Sequence, residues 1–288
     1  MDLEKLFNLE PHGADTFVGI GPQYPWGGLY GGQIVAQSLR AAAATVDDGL
    51  DVHSLRSYFI RRGDHTEPVR YEVDRIRNGR SFVTRRVVAR QAIGAILNLE
   101  ASFQRPEPSL DVQTIAMPAG IARPEELLGE SWMPAFERRS VPTERLHGIL
   151  PAGVGAVAAW MRVNGALSDD ELIHRCWLAY LSDDLPFDSV RELFRSMASS
   201  VDGIDADYGL LSSSDHQSYG ASLDHSIWFH RPIRVDEWHL YEFMTHGYVG
   251  GRGLTTGHVF RADGVLAATV AQEILLRPIR DDKTASHG

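Results

Sequence analysis

The sequence contains a single cysteine and no long apolar segment. Cys176 has no second cysteine to pair with, so an intramolecular disulfide and a thiolate metal site are both excluded. No uninterrupted apolar run approaches the roughly 18 residues that a membrane-spanning helix needs. Residues 1–5 lack the basic start of a signal peptide, and residues 285–288 form neither a peroxisomal nor an ER address. These absences predict a cytoplasmic protein with no membrane partner.

The sequence also lacks an excess of positive charge. It has 28 lysines and arginines against 38 aspartates and glutamates, a formal net charge of −10, so a nucleic acid is not expected as a partner. The twelve histidines show no metal-ligand spacing such as His-Glu-x-x-His, and no metal or cofactor is expected. One local set of arginines either meets a polyanionic ligand or lines solvated strand edges: Arg75, Arg77, Arg80, Arg85, Arg86 and Arg90.

The first half of the chain has the pattern of one helix followed by strands. A glycine-rich turn over residues 25–32 leads into residues 33–46, which are strong helix formers and apolar enough to be buried on most of their surface. Glycines before a helix leave its first amides free to meet an oxygen or phosphate, although a plain structural turn is the commoner explanation. Four antiparallel strands are predicted to wrap this helix, at 52–60, 69–77, 80–91 and 93–103.

The second half repeats this pattern. Three landmarks recur in order at offsets of 172, 170 and 172 residues: His53-Ser54-Leu55 with His225-Ser226-Ile227, Tyr71-Glu72 with Tyr241-Glu242, and Gly79-Arg80 with Gly251-Arg252. Strands are predicted at 157–163, 219–230, 237–245, 254–261 and 264–277, with an insertion over 185–218. Half of the 14 prolines fall within residues 106–151, which are interpreted as a surface linker.

These patterns predict an α+β protein made of two units, each a long helix wrapped by an antiparallel sheet. The predicted divisions are an N-terminal repeat over 1–108, a proline-rich linker over 109–150 and a C-terminal repeat over 151–288. An unpaired sheet edge is a liability, so the two sheets are expected to join edge to edge.

Residues 168–184 are predicted to form the helix of the second repeat. Ser168 and Glu171 have the spacing of a capping box, so the helix is expected to begin there. At about 100° per residue, Cys176 and Tyr180 fall on one buried stripe, and Asp183 falls in the middle of it. A carboxylate on a buried face is costly unless something uses it. The alternative is an aspartate at a fraying helix end that turns to solvent.

A glutamine interrupts the apolar face of the last predicted strand. Alternation places Gln272 in line with Leu266, Val270 and Ile274, and the corresponding position of the first repeat is Phe103. A buried amide needs a partner, and a structural hydrogen bond to backbone is one explanation. The other is that Gln272 and Asp183 meet in a polar pocket, which predicts one active site per chain rather than two.

Taken together, the chain resembles the type II (TesB-like) acyl-CoA thioesterases over nearly its whole length. The strings that carry the resemblance are long and ordered: Gly31-Gly32-Gln33, His53-Ser54-Leu55, residues 75–82, Ala101-Ser102-Phe103-Gln104, residues 178–183, residues 223–232 and Val270-Ala271-Gln272-Glu273. One departure follows the aspartate, where Asp184-Leu185-Pro186 replaces the family's more usual aromatic and asparagine. This departure affects the expected shape of the pocket, and hence the acyl preference.

The resemblance implies a double hot-dog fold and the hydrolysis of acyl-CoA to fatty acid and CoA. It implies that Asp183, Ser222 and Gln272 activate a water, and that Gly31, Gly32, His53 and Arg80 bind substrate, with the helix N-terminus near the two glycines polarising the thioester carbonyl. It also implies a homo-oligomer, either a dimer or a tetramer, and no cofactor. The role of Ser222 rests on the resemblance alone, because strand alternation turns it away from the apolar face.

Other functions fit the sequence less well. Gly220-Ala221-Ser222-Leu223-Asp224 lacks the final glycine of a serine-hydrolase elbow and lies in a predicted strand. Asp224 and His225 are neighbours on a strand and face opposite ways, which argues against an acid–base pair. A hydratase of the same fold needs an Asp/His pair leading into its buried helix, and none is found. A non-catalytic acyl-CoA sensor is the remaining alternative.

Overall fold

The computed structural model describes residues 5–146, 149, 155–198 and 218–278. Its four α-helices are α1 (Gly31–Ala43), α2 (Thr143–Leu146), α3 (Glu171–Leu181) and α4 (Pro186–Ala198). The strands of the first repeat are β1 (Glu10–Pro11), β2 (Thr16–Gly19), β3 (Asp51–Phe59), β4 (Val69–Asn78), β5 (Phe82–Gln91) and β6 (Gly94–Gln104). Those that follow are β7 (Phe136–Ser140), β8 (Ala156–Val163), β9 (Ser218–Ser222), β10 (Asp224–Phe229), β11 (His239–Val249), β12 (Arg252–Arg261) and β13 (Leu266–Pro278).

All of these strands belong to one antiparallel sheet. Its order from edge to edge is β1, β2, β4, β5, β6, β3, β10, β13, β12, β11, β8 and β7, and β9 pairs with β13 beyond the end of β10. The order β2-β4-β5-β6-β3 of the first repeat is mirrored by β8-β11-β12-β13-β10 in the second. The two halves meet where β3 pairs with β10, between Tyr58 and Asp224 at one end and Ser54 and Trp228 at the other. The predicted edge-to-edge joining of two sheets is confirmed.

Helices α1 and α3 pack side by side, and both contribute to one apolar core. Along α1 nearly every residue from Gly32 to Ala42 is buried, as the composition of the segment predicts. In α3, Cys176, Ala179 and Tyr180 are fully buried, and so is the neighbouring Trp177. No helix in the described part of the chain is long and apolar enough to cross a membrane.

The strands predicted from alternation lie within four residues of the observed ones, with one exception described below. The prediction that the helix begins with a capping box at Ser168 is wrong. Helix α3 begins at Glu171, and the side chain of Asp170 caps it by accepting from the Leu172 amide at 2.9 Å. Ser168, Asp169 and Asp170 are all residue types that favour the N-cap, and the last of them occupies it.

The linker predicted over 109–150 is not irregular throughout. Strand β7 lies within it and pairs with β8, so Phe136 and its neighbours form an edge of the second repeat's sheet. The insertion predicted over 185–218 contains α4, which packs on β8, β11 and β12. Residues 147, 148, 150–154 and 199–217 lie outside the described part of the chain. The division of the chain at 108 and 150 stays a prediction.

Candidate active site

Three polar side chains from separate elements meet just beyond the C-terminal end of α3. Asp183 lies two residues past the end of that helix, and its Oδ1 accepts from the Gln272 amide nitrogen at 2.7 Å. The same nitrogen donates to Ser222 Oγ at 2.7 Å, and Ser222 Oγ lies 3.2 Å from Asp183 Oδ1. Asp183 is 8% exposed and Gln272 1%, whereas Ser222 is partly exposed. Ser222 therefore faces the solvent side of the cluster.

Ser222 reaches this cluster because the strand predicted over 219–230 is interrupted. Ser222 pairs with Ile274 and Ser226 with Ala271, so four steps along one chain face three along the other. The extra residue is a bulge between β9 and β10, and it reverses the alternation of side chains. The prediction of one continuous strand is wrong here, and with it the inference that Ser222 faces away from Gln272.

The register of the sheet places Gln272 and Phe103 at matching positions of the two repeats. Gln272 pairs with Thr255 on β12. Phe103 pairs with Val83 on β5, at the matching place of the first repeat. Phe103 is buried in the apolar core, 1% exposed. The correspondence of Gln272 and Phe103, predicted from the sequence, is confirmed. In the first repeat this position holds an apolar ring. In the second it holds an amide that donates to two acceptors, Asp183 and Ser222.

The N-terminus of α1 closes the cluster from the other side. The backbone N–H of Gly32 donates to the Asp183 carboxylate, which places this charge at the positive end of the helix dipole. A Cβ on Gly31 would lie 2.5 Å from Asp183 Oδ2. A Cβ on Gly32 would lie 2.3 Å from the backbone oxygen of Tyr180 on α3. The two glycines thus permit the close approach of both helices.

We expect Gly32→Ala to lower the free energy of unfolding by about 1–3 kcal/mol and to reduce activity. The new methyl group meets a backbone oxygen, which no side-chain rotation can relieve, so α1 must move away from α3 and from Asp183. Chemical denaturation and steady-state kinetics measure the two effects. Gly247→Ala is the matched control, since a Cβ there meets nothing within 4 Å. Equal stability and activity of both variants would contradict the close approach.

Burial raises the pKa of Asp183 to about 6. Hydrogen bonds from Gln272, Ser222 and Gly32 favour the ionised form and partly oppose this rise. The carboxylate is therefore mostly ionised at neutral pH, yet basic enough to accept a proton. This combination suits a general base.

His225 is a fourth member of the cluster that the sequence did not assign to the site. Its ring is fully buried, with Nδ1 against the amide oxygen of Gln272 and Nε2 2.9 Å from Ser182 Oγ. Burial lowers the pKa of His225 to about 4, so the ring is neutral at neutral pH. The signal that could have found it is alternation: His225 shares the inward face with Ile227, a buried apolar residue.

The structure does not bring His53 to the cluster. His53 lies at a bulge in β3, and its ring contacts Ser102, whose hydroxyl lies 2.8 Å from Nε2, and Phe82. Ser102 neighbours the inward-facing Phe103 on β6, so His53 lies on the opposite face of the sheet. The register of the second repeat shifts between Ser222 and Ser226 as well, but the ring of His225 points inward, to Gln272 and Ser182.

Arg80 is also remote from the cluster. It is an exposed residue of the turn between β4 and β5, which lies near Asp51 at the start of β3, whereas the cluster lies beyond Tyr58 near its end. The other arginines of this region do not form a free basic patch. Arg77 is exposed, three others have acidic partners and one is buried: Arg75 with Asp15, Arg86 with Asp74, Arg90 with Glu72, and Arg85 against Thr45.

Asp184 anchors the segment between the repeats beside the cluster. Its two oxygens accept from Trp132 Nε1 at 2.6 Å and from Arg138 Nη1 at 2.9 Å. Arg138 also contacts Asp188 on α4 at 2.8 Å. The Trp132 ring lies 5.0–6.4 Å from the rings of an aromatic group: Tyr24, Trp26, Tyr30, Phe136 and Tyr180. The departure from the family pattern at Asp184 thus fixes a wall of aromatic rings next to Asp183.

Among the described residues, no group of three or more His, Cys, Asp or Glu side chains is arranged to hold a metal ion. The arrangement of Asp183, Ser222 and Gln272 is instead one that can hold a water molecule. It contains a carboxylate that accepts and a hydroxyl that both donates and accepts, and the Gln272 amide holds both of them in place. Such a cluster suits a hydrolase.

Comparison with known proteins shows the family to which the chain belongs. Models of the acyl-CoA thioesterase N-terminal and C-terminal domains match residues 21–104 and 111–276. Mouse acyl-coenzyme A thioesterase 8 is 35% identical over 94% of this chain and 88% of its own length. Acyl-CoA thioesterase 2 of Haemophilus influenzae is 31% identical over 96% of this chain and 95% of its own.

A solved structure extends the similarity to three dimensions. The crystal structure of an acyl-CoA thioesterase II from Mycobacterium marinum aligns with a TM-score of 0.80 and 34% identity, covering 100% of both chains. The present chain belongs to the acyl-CoA thioesterase family, as its resemblance to the type II enzymes predicts. Its α+β fold, one antiparallel sheet around the helices α1 and α3, is the double hot-dog fold.

Proposed function

We propose that this protein hydrolyses acyl-CoA thioesters to a free fatty acid and CoA, with Asp183 as the general base. The observation that carries the proposal is Gln272, a buried amide in an otherwise apolar layer, which bonds both Asp183 and Ser222 where the sister repeat has Phe103. Burying an amide in an apolar layer costs free energy, so its presence there indicates a functional role rather than a packing role. Membership of the acyl-CoA thioesterase family supports the same substrate class.

The reaction follows from the roles that each side chain can take. Asp183 removes a proton from the water as its oxygen attacks the thioester carbonyl carbon, and Ser222 and Gln272 orient that water. The tetrahedral intermediate then expels the CoA sulfur, and the proton held by Asp183 passes to it. The products are the carboxylic acid and the CoA thiol.

We assign the contact with the thioester carbonyl oxygen to the first turn of α1. The first amides of a helix have no acceptor within that helix, and the helix dipole favours developing negative charge. Because Gly32 already donates to Asp183, the amide of Gly31 is the donor we propose for the oxyanion. The substrate contacts proposed for His53 and Arg80 have no support from their positions.

Thiol release from acyl-CoAs of increasing chain length tests the proposal and supplies the acyl preference. A thiol-reactive dye suits the assay because the only cysteine, Cys176, is buried and gives little background. Release on at least part of the series is the expected result. Binding of acyl-CoA without release would instead indicate a sensor, and loss of the enoyl double bond without release would indicate a hydratase.

We expect kcat/KM to rise with pH and to level off above about pH 7. The base must be ionised to accept a proton, and the pKa of Asp183 is raised to about 6, so activity should fall about tenfold per pH unit well below that value. Rates measured from pH 5 to 8, with circular dichroism at each pH to verify folding, provide the test. A profile that is flat from pH 5 to 7 would exclude Asp183 as the base.

The remaining expectations concern assembly and location. The resemblance implies a dimer or tetramer of the whole chain, and light scattering after gel filtration measures its mass. A cytoplasmic location is the other expectation, and fractionation of cells that make the protein tests it. Both stay predictions.

A further inference from the structure

We propose that His225, itself held by Ser182, is a positioning residue that fixes which end of the Gln272 amide faces Asp183. This inference rests on the proposed function, because it explains how the water-binding cluster keeps its donors and acceptors in place. His225 and Ser182 are both fully buried.

The orientation of the amide follows from what each neighbour can offer. An ionised Asp183 only accepts hydrogen bonds, so the nitrogen of Gln272 must face it and the amide oxygen must face His225. That oxygen needs a donor, so Nδ1 of the imidazole must carry the ring proton. Nε2 is then an acceptor, and the hydroxyl of Ser182, 2.9 Å away, is the donor that serves it.

The opposite arrangement is available to the same atoms and would disable the cluster. Ser182 Oγ also lies 3.2 Å from the backbone oxygen of Ala179, to which it can donate instead. Nε2 would then carry the proton and donate to Ser182, leaving Nδ1 as an acceptor. Gln272 would have to turn its nitrogen to His225 and its oxygen to the Asp183 carboxylate, two acceptors in contact. A Ser182 hydroxyl that donates to Nε2 therefore supports the one orientation of Gln272 that an ionised Asp183 can accept.

The first repeat shows that the fold itself does not need this buried histidine. His53 occupies the matching place, but its ring lies on the other face of the sheet beside Ser102, and the core position next to it is filled by Phe103. The inward imidazole therefore occurs in the repeat that carries the polar cluster. A purely structural role for His225 predicts that its loss affects stability alone.

Two substitutions separate positioning from packing. His225→Asn keeps an N–H donor near the place of Nδ1, whereas His225→Leu fills the same space without a donor. We expect kcat of His225→Leu to fall about 10- to 100-fold with KM changed less than about threefold, and His225→Asn to keep kcat within about fivefold of wild type. Wild-type kcat in a folded His225→Leu would overturn the inference.

His239→Leu is the matched control. His239 is also a buried imidazole whose pKa is lowered to about 4, but its Nδ1 lies 2.8 Å from the backbone oxygen of Glu237, outside the cluster. We expect this variant to lose stability and to keep wild-type kcat. An equal fall of kcat in both leucine variants would mean that a loosened core, and not the donor, is responsible, and would overturn the inference.

The tautomer itself can be measured without any substrate. In protein labelled with ¹⁵N histidine, we expect the His225 signals to show a protonated Nδ1 and an unprotonated Nε2, and Ser182→Ala to shift the population towards protonated Nε2. A protonated Nε2 in the wild type would overturn the inference even if the leucine variant fails to fold. Inactivity of the wild type on every acyl-CoA would instead refute the proposed function and leave this result untouched.

Discussion

Asp183→Asn is expected to lower kcat/KM for acyl-CoA hydrolysis by about 10²- to 10⁴-fold, the range that a general base contributes. The substitution is nearly isosteric, and the asparagine oxygen can still accept from Gln272 and Ser222. What it removes is the charge and the basicity. Thiol release by the purified variant, over the same series of acyl-CoAs, measures the loss.

The same variant should be more stable than the wild type, which separates lost chemistry from lost folding. Burial holds the pKa of Asp183 in the folded state near 6, above its ordinary value of 3.8. The folded chain therefore binds the proton more tightly than the unfolded chain, and stability is lost as the pH rises through about 6. At pH 7 the ionised carboxylate costs up to about 3 kcal/mol, which asparagine removes.

Asp224→Asn is the control for this experiment. Asp224 is a half-buried carboxylate on β10, and its Oδ1 accepts from the Glu273 amide at 2.7 Å, which asparagine can also do. We expect activity within a few-fold of the wild type. Activity that survives in Asp183→Asn but collapses in Asp224→Asn would move the base to Asp224.

Arg138→Met is expected to lower the free energy of unfolding by about 3–5 kcal/mol, the cost of leaving a buried ion without its partner. Asp184 is 7% exposed and relies on Arg138 and Trp132. Burial already raises the pKa of Asp184, and the arginine opposes that rise. Urea denaturation at pH 7 measures the change. Since Asp184 follows Asp183 directly, we also expect a lower kcat.

Arg90→Met serves as the comparison for this loss. Arg90 contacts Glu72 at 2.8 Å, close to the 2.9 Å of Arg138 and Asp184, but its side chain is 44% exposed. An ion pair on the surface contributes about 0–1 kcal/mol, so this variant should unfold almost like the wild type. Similar losses for the two variants would contradict the anchoring role of Arg138.

The repeat and the alternation of apolar residues were sufficient to predict the sheet, both enclosed helices and two members of the cluster. Asp183 and Gln272 could be found because each is a polar residue on an otherwise apolar face. Ser222 could not, since a bulge is one extra residue and leaves no periodic signal. His53 and His225 look equivalent in the repeat, yet their rings lie on opposite faces of the sheet.

Contacts between residues far apart in the sequence could not be predicted either. Trp132 and Arg138 lie in the proline-rich segment, 52 and 46 residues before Asp184, with which they bond. Nothing in their local sequence marks them, and only the folded chain shows that part of this segment is a strand. The same applies to Ser182, whose partner His225 is 43 residues away.

The continuous polypeptide linking the two repeats has a consequence for how this enzyme can change over time. In a homodimer of single repeats, both copies come from one gene, so every substitution appears on both sides of the symmetry axis. Here each repeat is inherited as its own stretch of sequence. One repeat can therefore keep Phe103 and an intact apolar core while the other bears the cost of Gln272, Asp183 and His225. Mutations that alter the chemistry and mutations that preserve the fold can thus accumulate in different halves of a single gene.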